Sequence, residues 1–386
     1  MHVNPVFANL PTSIFEKMSA LARAHDAVNL GQGFPDFGWP DIVLDKAAEA
    51  VRFGYNQYPP MRGLPELREA VAAYYRRCQG LDVEAERVTI TSGATEALAD
   101  AILALVEPGD EVVLFQPLYD AYLPLVLRAG GKPRFVRLSP PEWRITEEDL
   151  AAAFTDRTRL VVFNNPHNPT ARMFDREELA LLAEFCVRHD VIALSDEVWE
   201  QIVFGGRDHD PLSLMPGMAE RTVKVGSAGK IFSLTGWKVG WLVAPPDLGP
   251  ALAAAHQFVT FATPPPLQVA VAFGLEQAMA DVEATCLAFA SSRDRLASGL
   301  QAKGFVPLAA EGTYFVCVDL AASGIRVDDT IFCERAVREA GVAAIPISAF
   351  YAEAPVRNVI RLCFAKKDET LDRGIEQLSL ARELFL

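Results

Sequence analysis

The sequence lacks the features of disulfide-rich, membrane-spanning and nucleic-acid-binding proteins. Its 386 residues include six widely spaced cysteines without a C-x-x-C pair, so we interpret them as reduced core residues. No apolar run approaches the ~20 residues that span a bilayer, and the N-terminus has no signal-peptide pattern. The net charge is −14, and no basic stripe offers a surface for phosphate backbones. We therefore expect a cytoplasmic protein that binds neither membranes nor nucleic acid, and we predict no metal site.

The chain is long enough to bury more than one hydrophobic core. With 51% hydrophobic and 22% charged residues, its composition favours a folded protein of about two domains. From about residue 87 to 243, short β-branched runs alternate with helical patterns, which is typical of a parallel sheet with helical crossovers. We predict an α/β fold that binds ligands beyond the carboxyl ends of its strands. The predicted strands are Arg87–Ile90, Glu111–Leu114, Arg134–Val136, Leu160–Phe163, Val191–Leu194, Thr222–Val225 and Gly240–Val243.

The rest of the chain has a different pattern, which predicts a second and smaller unit. After about residue 275 a long helical pattern is followed by the strand-like segments Tyr314–Val318 and Val359–Cys363. The first 40 residues contain a short predicted helix, Ser13–Ala24, led by Thr12 or Ser13 as a cap, and are too few to fold alone. We predict a large domain over residues 41–275 and a small domain formed by residues 1–40 and 276–386.

The segment Val223–Trp241 contains the most informative lysine. A strand-like run leads into Ser227-x-x-Lys230, and Lys238 follows eight positions later. Such a lysine can approach a cofactor closely, although a solvated loop lysine fits this short motif equally well. An acylating serine of the penicillin-binding type would need S-D-N and K-T-G elements, and a phosphate loop of nucleotide hydrolases would need further Gly and Ser or Thr residues. The sequence contains neither set, so neighbouring motifs must identify the role of Lys230.

Two further loops follow predicted strands and offer polar side chains. The loop Asn164–Thr170 (NNPHNPT) presents amide groups from an extended, proline-restricted backbone. In Ser195–Trp199 (SDEVW), Asp196 ends an apolar run, where a carboxylate is unfavourable unless it meets a cation such as a protonated pyridine nitrogen. A helix cap or a surface acid would be the alternative explanation for Asp196.

Nine motifs follow one another along the chain: Gly31–Phe37, Asn56–Tyr58, Thr91–Thr95, Pro117–Tyr122, Asn164–Thr170, Ser195–Trp199, Ser227–Lys230, Gly236–Trp241 and Ile360–Phe364. This ordered set resembles the motifs of the class I and II aminotransferases of pyridoxal-phosphate (PLP) fold type I. The resemblance covers essentially the whole chain and is greatest to the kynurenine, glutamine and methionine aminotransferase branch. It implies a mainly parallel central sheet flanked by helices, a smaller α+β domain, and transfer of an amino group from an L-amino acid to a 2-oxo acid.

The resemblance implies that two residues are catalytic and that three more hold the cofactor ring in place. Lys230 would carry PLP as a Schiff base and then move the substrate α-proton. Asp196 would pair with the pyridinium nitrogen. Asn168 would bind the ring phenolate oxygen, and Tyr119 would stack on the ring. Trp199 would lie at the ring edge, where most of the family has tyrosine; we expect the indole to keep a donor but to shift the pKa of the Schiff base.

The resemblance also implies a phosphate site and a dimer. Gly93, Ala94 and Thr95 begin a predicted helix, Ala94–Val106, whose free N–H groups would bind the phosphate. Ser227 and Lys238 would complete the site from the lysine loop. Tyr58 would reach the phosphate from the partner subunit, which makes the active unit a homodimer.

For the substrate, the resemblance implies that Arg361 binds the α-carboxylate, together with Asn168 and the backbone of Gly33. A structural ion pair would be the alternative for Arg361, because a charge in an apolar strand needs a partner. Aromatic residues in segments that border the substrate in relatives, among them Phe34 and Phe37, and the lack of a second clamping arginine predict a neutral substrate such as methionine, glutamine or an aromatic amino acid.

Two pocket positions depart from the kynurenine-type branch. An aromatic residue and a histidine commonly lie there, near positions where this chain has Thr12 and Ala262. Substrate choice therefore cannot be copied from that branch. Alternatives to transamination are β-elimination from cysteine S-conjugates at the same site and, in another class, a non-catalytic binding module with the same fold.

Overall fold

Strands and helices alternate along most of the chain. The structure is a computed structural model and describes residues 3–8, 10–54 and 56–386. The strands are β1 (Val28–Asn29), β2 (Val88–Thr91), β3 (Glu111–Gln116), β4 (Lys132–Arg137), β5 (Thr158–Asn164), β6 (Ile192–Asp196), β7 (Thr222–Ser227), β8 (Gly240–Val243), β9 (Val306–Pro307), β10 (Phe315–Asp319), β11 (Val342–Ala343), β12 (Ile345–Pro346) and β13 (Val359–Cys363).

The helices flank these strands. They are α1 (Pro5–Ala8), α2 (Ile14–Ala24), α3 (Asp41–Phe53), α4 (Pro65–Gln79), α5 (Gly93–Leu105), α6 (Tyr122–Ala129), α7 (Glu147–Ala153), α8 (Arg176–Arg188), α9 (Ala228–Ile231), α10 (Gly249–Val259), α11 (Pro265–Gln277), α12 (Met279–Ala302), α13 (Asp329–Ala340) and α14 (Asp368–Glu383). Among the helices in the described ranges, none is both long and apolar enough to cross a membrane.

A seven-stranded sheet lies at the centre of the larger unit. Its strand order is β2-β8-β7-β6-β5-β3-β4, and all neighbours are parallel except where β8 pairs with β2 and β7. The predicted α/β fold with a mainly parallel sheet is confirmed. The expectation that Gly240–Val243 runs parallel with the other strands is wrong, because the chain after β7 makes only two short helical turns before it returns. That short connection contains Lys230.

Helices cover the sheet, so its central strands are buried on both faces. Every residue of β3 and β6 except Ile192 is buried, and β5 is buried apart from Arg159. This explains why these strands appear in the sequence as continuous apolar runs rather than as alternating patterns. Helix α5 packs against β7 and β8, so its first turn lies close to the lysine connection.

The C-terminal part forms two smaller sheets. Strands β12, β13, β10 and β9 make an antiparallel sheet, with Cys317 opposite Arg361 in the register of β10 and β13. The N-terminal segment joins this part of the molecule, since β1 pairs parallel with β11 and α2 packs against α13. Ser13 caps α2 by accepting a hydrogen bond from Glu16 N at 3.2 Å. The domain boundaries at residues 41 and 275 stay a prediction.

Candidate active site

Three neighbouring parallel strands end at the same edge of the sheet and bring polar residues together. Asn164 ends β5 and lies opposite Asp196, which ends β6, and Ser227 ends the adjacent β7. A cavity of about 180 Å³ opens at this edge, as expected for a parallel sheet. It is lined by Gly93, Ala94, Thr95, Leu98, Tyr119, Tyr122, Asn164, Asn168, Asp196, Val198, Trp199, Ser227, Gly229, Lys230, Thr235, Lys238 and Val239.

Lys230 projects into this cavity from the short helix α9. Its Nζ donates to Tyr314 Oη at 3.1 Å and lies 4.5 Å from the centre of the Trp199 ring. Burial lowers the pKa of Lys230 to about 8, although the nearby Asp196 carboxylate acts in the opposite direction. A much larger fraction of this amine is therefore neutral near pH 7 to 8 than for an exposed lysine, which is what a nucleophile or base requires.

Asp196 is a buried carboxyl group that also lines the cavity. It accepts a hydrogen bond from Tyr122 Oη at 2.6 Å and a longer one from Val198 N at 3.4 Å. Burial raises the pKa of Asp196 to about 6, although the Tyr122 hydrogen bond favours the ionised form. A cationic partner would offset this desolvation, so the carboxylate is suited to a protonated ring nitrogen.

The first turn of α5 forms one end of the cavity, and this end offers hydrogen-bond donors to an anion. The N–H groups of Gly93, Ala94 and Thr95 lack partners within the helix because they belong to its first turn. A Cβ on Gly93 would lie 3.0 Å from Lys238 Nζ, so the ammonium group lies directly against this turn. Gly240 permits the close approach, because a Cβ there would lie 2.7 Å from Ala94 N.

Arg361 is a fully buried cation without a carboxylate partner. Only 1% of the residue is exposed, and burial lowers the pKa of its guanidinium to about 10. Its Nη1 donates to Asn168 Oδ1 at 2.8 Å and its Nη2 to Gly31 O at 3.2 Å, whereas Nε has no partner. No described carboxylate forms an ion pair with Arg361, so the structural ion pair considered from the sequence is absent there.

Three aromatic rings surround the Arg361 guanidinium. The carbon of this group lies 3.8 Å from the ring centre of Phe315, 5.1 Å from Phe15 and 5.2 Å from Phe350. Thr12 is exposed, but Phe15 supplies an aromatic ring that sequence inspection near position 12 misses. The surroundings of Arg361 are therefore mainly aromatic, and the Asp120 carboxylate lies near enough to favour the charged guanidinium without forming an ion pair among the described residues.

Hydrogen bonds hold the loop that carries Asn168. Asn164 Oδ1 accepts from Asn168 N at 2.8 Å, and Asn164 Nδ2 donates to Asp196 O at 2.8 Å. Because Asn168 Oδ1 accepts from Arg361, its NH₂ group stays available as a donor. Gly33 lies nearby, with its carbonyl accepting from Tyr314 Oη at 2.6 Å, and a Cβ there would be 2.8 Å from the Phe315 ring.

Most of the predicted site residues meet around this cavity. Tyr119 lines it, and its ring makes a T-shaped contact with the Tyr122 ring at 5.6 Å. Arg361 and Gly33 do not line the cavity and are connected to it by hydrogen bonds, Arg361 through Asn168 and Gly33 through Tyr314, which contacts Lys230. Tyr58 is not connected to the cavity of its own chain; it is 82% exposed and contacts Phe261. The roles of Tyr122 and Tyr314 were missed, since an apolar context gives no sign of the atom that a hydroxyl will meet.

A second buried charge cluster lies next to the cavity. Lys224 Nζ pairs with Glu197 and, at 2.8 Å, with Glu200, while His209 Nε2 lies 2.7 Å from Glu197 Oε2. Although burial opposes ionisation, Lys224 and His209 hold the pKa of Glu197 down to about 2. We call these four residues the closed cluster, because each forms an ion pair or a hydrogen bond with another member.

Comparisons with known proteins identify the family of this chain. Residues 25–378 match the family model "Aminotransferase class I and II". The chain is 42% identical to methionine aminotransferase of Escherichia coli, with 96% of each chain covered, and 37% identical to human kynurenine–oxoglutarate transaminase 1, with 93% of each covered.

Solved structures agree as well. The structure of N-succinyldiaminopimelate aminotransferase from Mycobacterium tuberculosis superposes with a TM-score of 0.95 at 43% identity, covering 98% of this chain and 100% of that one. For aspartate aminotransferase from Thermus thermophilus with maleate, the TM-score is 0.91 at 31% identity, with 99% and 100% covered.

The fold and the site thus define an enzyme of PLP fold type I, as the motifs predicted. More specifically, the chain belongs to the class I and II aminotransferases, and it is a PLP-dependent aminotransferase. This outcome excludes the non-catalytic binding module considered from the sequence.

Proposed function

We propose that this aminotransferase takes the amino group of a neutral L-amino acid and transfers it to a 2-oxo acid at the cavity around Lys230. Arg361 is the observation that carries the proposal. A fully buried guanidinium without a carboxylate partner is unfavourable, and the α-carboxylate of an amino acid would supply that partner bidentately. The unpartnered Nε of Arg361 is a donor that such a carboxylate could use.

The donors and acceptors around the cavity fit PLP. We assign the phosphate to the first turn of α5 (Gly93, Ala94 and Thr95), together with Ser227 and Lys238. When bound, PLP supplies an electron sink for the negative charge that develops at the substrate α-carbon.

We assign the cofactor ring to the opposite part of the cavity. Asp196 would hold the proton on the ring nitrogen, and Asn168 would donate its free NH₂ group to the ring oxygen. Tyr119 and Trp199 would contact the ring, since both line the cavity. Lys230 is the residue that we assign to the covalent attachment.

Lys230 would also act as the acid and base of the reaction. With a pKa of about 8, it exists partly as a free amine near neutral pH and can accept a proton from the substrate α-carbon. Arg361, Asn168 and the backbone of Gly33 would fix the substrate carboxylate, so that the α-carbon faces the amine. Such positioning can supply a large part of the rate enhancement.

The cavity supports a neutral side chain on the substrate. No arginine lies among the described residues that line the cavity, and Arg361, which contacts the lining residue Asn168, is already assigned to the α-carboxylate. Phe15 and Phe350 next to Arg361 offer apolar contacts instead. The methionine and kynurenine relatives act on neutral amino acids by name, which favours methionine, glutamine or an aromatic amino acid as the donor.

We further propose a homodimer in which Tyr58 reaches the phosphate site of the partner subunit. Tyr58 is exposed and packs against the exposed Phe261, and exposed apolar side chains of this kind are typical of an interface. Phe53, Phe258 and Val259, near them in the sequence, are exposed as well. We also propose a cytoplasmic location. All six cysteines lack disulfide bonds, as is usual in a reducing compartment.

A single experiment tests the reaction and the donor class. The PLP-loaded protein is mixed with single amino acids, and the cofactor absorption band is followed while the oxo-acid product is identified by mass spectrometry. We expect methionine, glutamine or an aromatic amino acid to react fastest. Aspartate or glutamate reacting fastest by a wide margin would contradict the proposal. Release of pyruvate and ammonia from a cysteine S-conjugate would reveal the β-elimination alternative.

A further inference from the structure

The amine of Lys230 has a hydrogen-bond partner that lies far away in the sequence. Tyr314 is separated from Lys230 by 84 positions, precedes β10 in the C-terminal part and is fully buried. Its hydroxyl lies 3.1 Å from Lys230 Nζ, and its ring centre lies 5.5 Å from the same nitrogen. Within the described residues, this is the single side-chain hydrogen bond that Lys230 makes.

The direction of this hydrogen bond follows from a count of protons. A phenol has one proton and can accept through its oxygen lone pairs. Tyr314 donates that proton to Gly33 O at 2.6 Å, so its oxygen is left to accept from Lys230. Burial raises the pKa of Tyr314 well above the ordinary range, which keeps the phenol protonated and the direction constant.

Because position 199 is a tryptophan and not a tyrosine, the hydroxyl that accepts from Lys230 belongs to Tyr314. An indole can donate a hydrogen bond but cannot accept one from an amine through its N–H. The Trp199 ring instead presents its face 4.5 Å from Lys230 Nζ, and it meets the Tyr314 ring edge-on at 4.6 Å. The amine is thus held between an aromatic face and a hydroxyl oxygen.

We propose that Tyr314 is a positioning residue that holds the free amine of Lys230 through its hydroxyl and connects it to the backbone of Gly33. This inference rests on the proposed function in one respect, namely that Lys230 is the acid and base. A lysine side chain has four rotatable carbon–carbon bonds, so an amine that is not held would sample many positions. With one N–H given to Tyr314, the lone pair of the neutral amine has a restricted direction.

The same contacts connect the amine to the end of the site that binds the carboxylate. Gly31 O accepts directly from Arg361, whereas Gly33 O accepts from Tyr314, which in turn accepts from Lys230. One short backbone segment is therefore bonded to Arg361 directly and to Lys230 through the Tyr314 hydroxyl. A substrate carboxylate that orders this segment also orders the hydroxyl that holds Lys230. Tyr314 therefore couples occupation of the carboxylate site to the placement of the base.

The first test removes only the hydroxyl. Tyr314→Phe keeps the ring contacts with Trp199 and Phe315. Because small misplacements of a catalytic group can reduce rates by about 100-fold, we expect kcat of the donor half-reaction to fall by about 10- to 100-fold while KM changes less than about threefold. A purely structural role would instead lower the amount of folded protein and leave kcat per folded molecule unchanged.

The second readout uses cofactor-free protein and does not depend on activity. The rate at which Lys230 reacts with acetic anhydride is measured against pH by peptide mass spectrometry, with Lys46 as an internal reference. An acceptor stabilises the ammonium form, so we expect Tyr314→Phe to lower the labelling midpoint of Lys230 by about half a pH unit or more. The Lys46 midpoint should not move.

Tyr351→Phe is the matched control, and a double variant tests for rescue. Tyr351 donates its hydroxyl to the carbonyl of Leu138 at 2.7 Å, outside the cavity, so its loss should leave the Lys230 midpoint unchanged. In Tyr314→Phe combined with Trp199→Tyr, a hydroxyl returns near the amine, and we expect part of kcat and of the midpoint shift to be restored. If Tyr314→Phe alone does not fold, the double variant is used to measure kcat and the Lys230 midpoint without the Tyr314 hydroxyl.

The outcomes separate this inference from the proposed function. If the wild type transaminates while folded Tyr314→Phe shows the same Lys230 midpoint and the same kcat, the positioning role is overturned and the proposed function stands. If the wild type fails to convert any amino acid, the proposed function itself fails. A lowered midpoint with a lowered kcat and a nearly constant KM supports the role of Tyr314.

Discussion

Two buried charge clusters lie side by side at the end of strand β6, and they differ in how their charges are balanced. In the closed cluster, Lys224 and His209 meet Glu197 and Glu200 directly. In the open cluster, which we define as Asp196, Lys230 and Arg361, the two cations have no carboxylate within ion-pair distance among the described residues. The polypeptide thus supplies ion-pair partners within the first cluster but none, among the described residues, for the cations of the second.

This difference separates a structural role from a chemical one. Desolvation of a buried charge is unfavourable by several kcal/mol unless a partner compensates it. The closed cluster supplies its partners from the chain itself, so its contribution is to orient the segment around Asp196. In the proposed function, the open cluster is completed from outside the chain, by the protonated ring nitrogen of the cofactor and the carboxylate of the substrate.

The largest expected effect comes from the amine of the open cluster. Lys230→Ala removes both the covalent attachment and the proton-transferring group, so we expect the rate of the donor half-reaction to fall by at least about 10⁴-fold. Stopped-flow measurement of the cofactor band checks this. If Lys230→Ala retained more than a few per cent of the wild-type rate, the chemical role that we assign to the open cluster would be contradicted.

Breaking the closed cluster should affect stability rather than chemistry. Lys224→Met leaves Glu197 and Glu200 without their cation, and we expect the free energy of unfolding to fall by about 3–5 kcal/mol. Urea unfolding of the cofactor-free protein measures this. Lys46→Met is the control, because Lys46 pairs with Glu49 at the surface, where a pair contributes about 0–1 kcal/mol. A large loss of kcat per folded Lys224→Met molecule would contradict the assignment.

Arg361 tests the carboxylate site of the open cluster. Arg361→Leu removes a charge-assisted donor pair, and we expect kcat/KM for amino acids to fall by about 10²- to 10³-fold. An amine that lacks the α-carboxylate should lose far less activity with this variant. Equal losses for both substrates would show that Arg361 supports the fold and does not bind the carboxylate.

Substitution of Asp196 should give the smallest of these effects, and its effect on stability should have a sign that depends on pH. Its pKa in the folded, cofactor-free protein is raised to about 6 from an ordinary value near 4, so the native state binds more protons than the unfolded state between these values. The contribution of Asp196 to the free energy of unfolding therefore decreases as pH rises from about 4 to 6, and it stays low above that range.

Asp196→Asn should remove this decrease. We expect the cofactor-free variant to be about 1–3 kcal/mol more stable than the wild type at pH 7.5, equally stable near pH 4, and slower in catalysis. Thermal unfolding at the two pH values measures the difference. If Asp196→Asn were less stable than the wild type at pH 7.5, the Asp196 carboxylate would stabilise the fold, as the carboxylates of the closed cluster do.

The sequence was sufficient to predict the fold class and most of the open cluster. Asp196 and Lys230 lie in short motifs next to predicted strands, and these local signals stay readable without knowledge of the packing. The antiparallel direction of β8 was not predictable from its apolar run, because buried parallel and antiparallel strands have similar sequences.

Contacts between distant segments account for what the sequence did not predict. Tyr314 and Phe15 look like core aromatics, and their positions beside Lys230 and Arg361 depend on how the C-terminal part packs. The closed cluster was missed for the same reason, since Lys224 appears as one polar residue in an apolar strand. The assignment of Tyr58 to the partner subunit stays a prediction.

The central claim is that Lys230 is the residue that binds the cofactor covalently. Borohydride reduction of the PLP-loaded protein, followed by digestion and mass spectrometry, identifies the lysine that carries the cofactor. We predict that the peptide containing Lys230 is the modified one and that Lys224 and Lys238 remain unmodified. Attachment to another lysine in an active enzyme, or the absence of any attachment, would contradict this account.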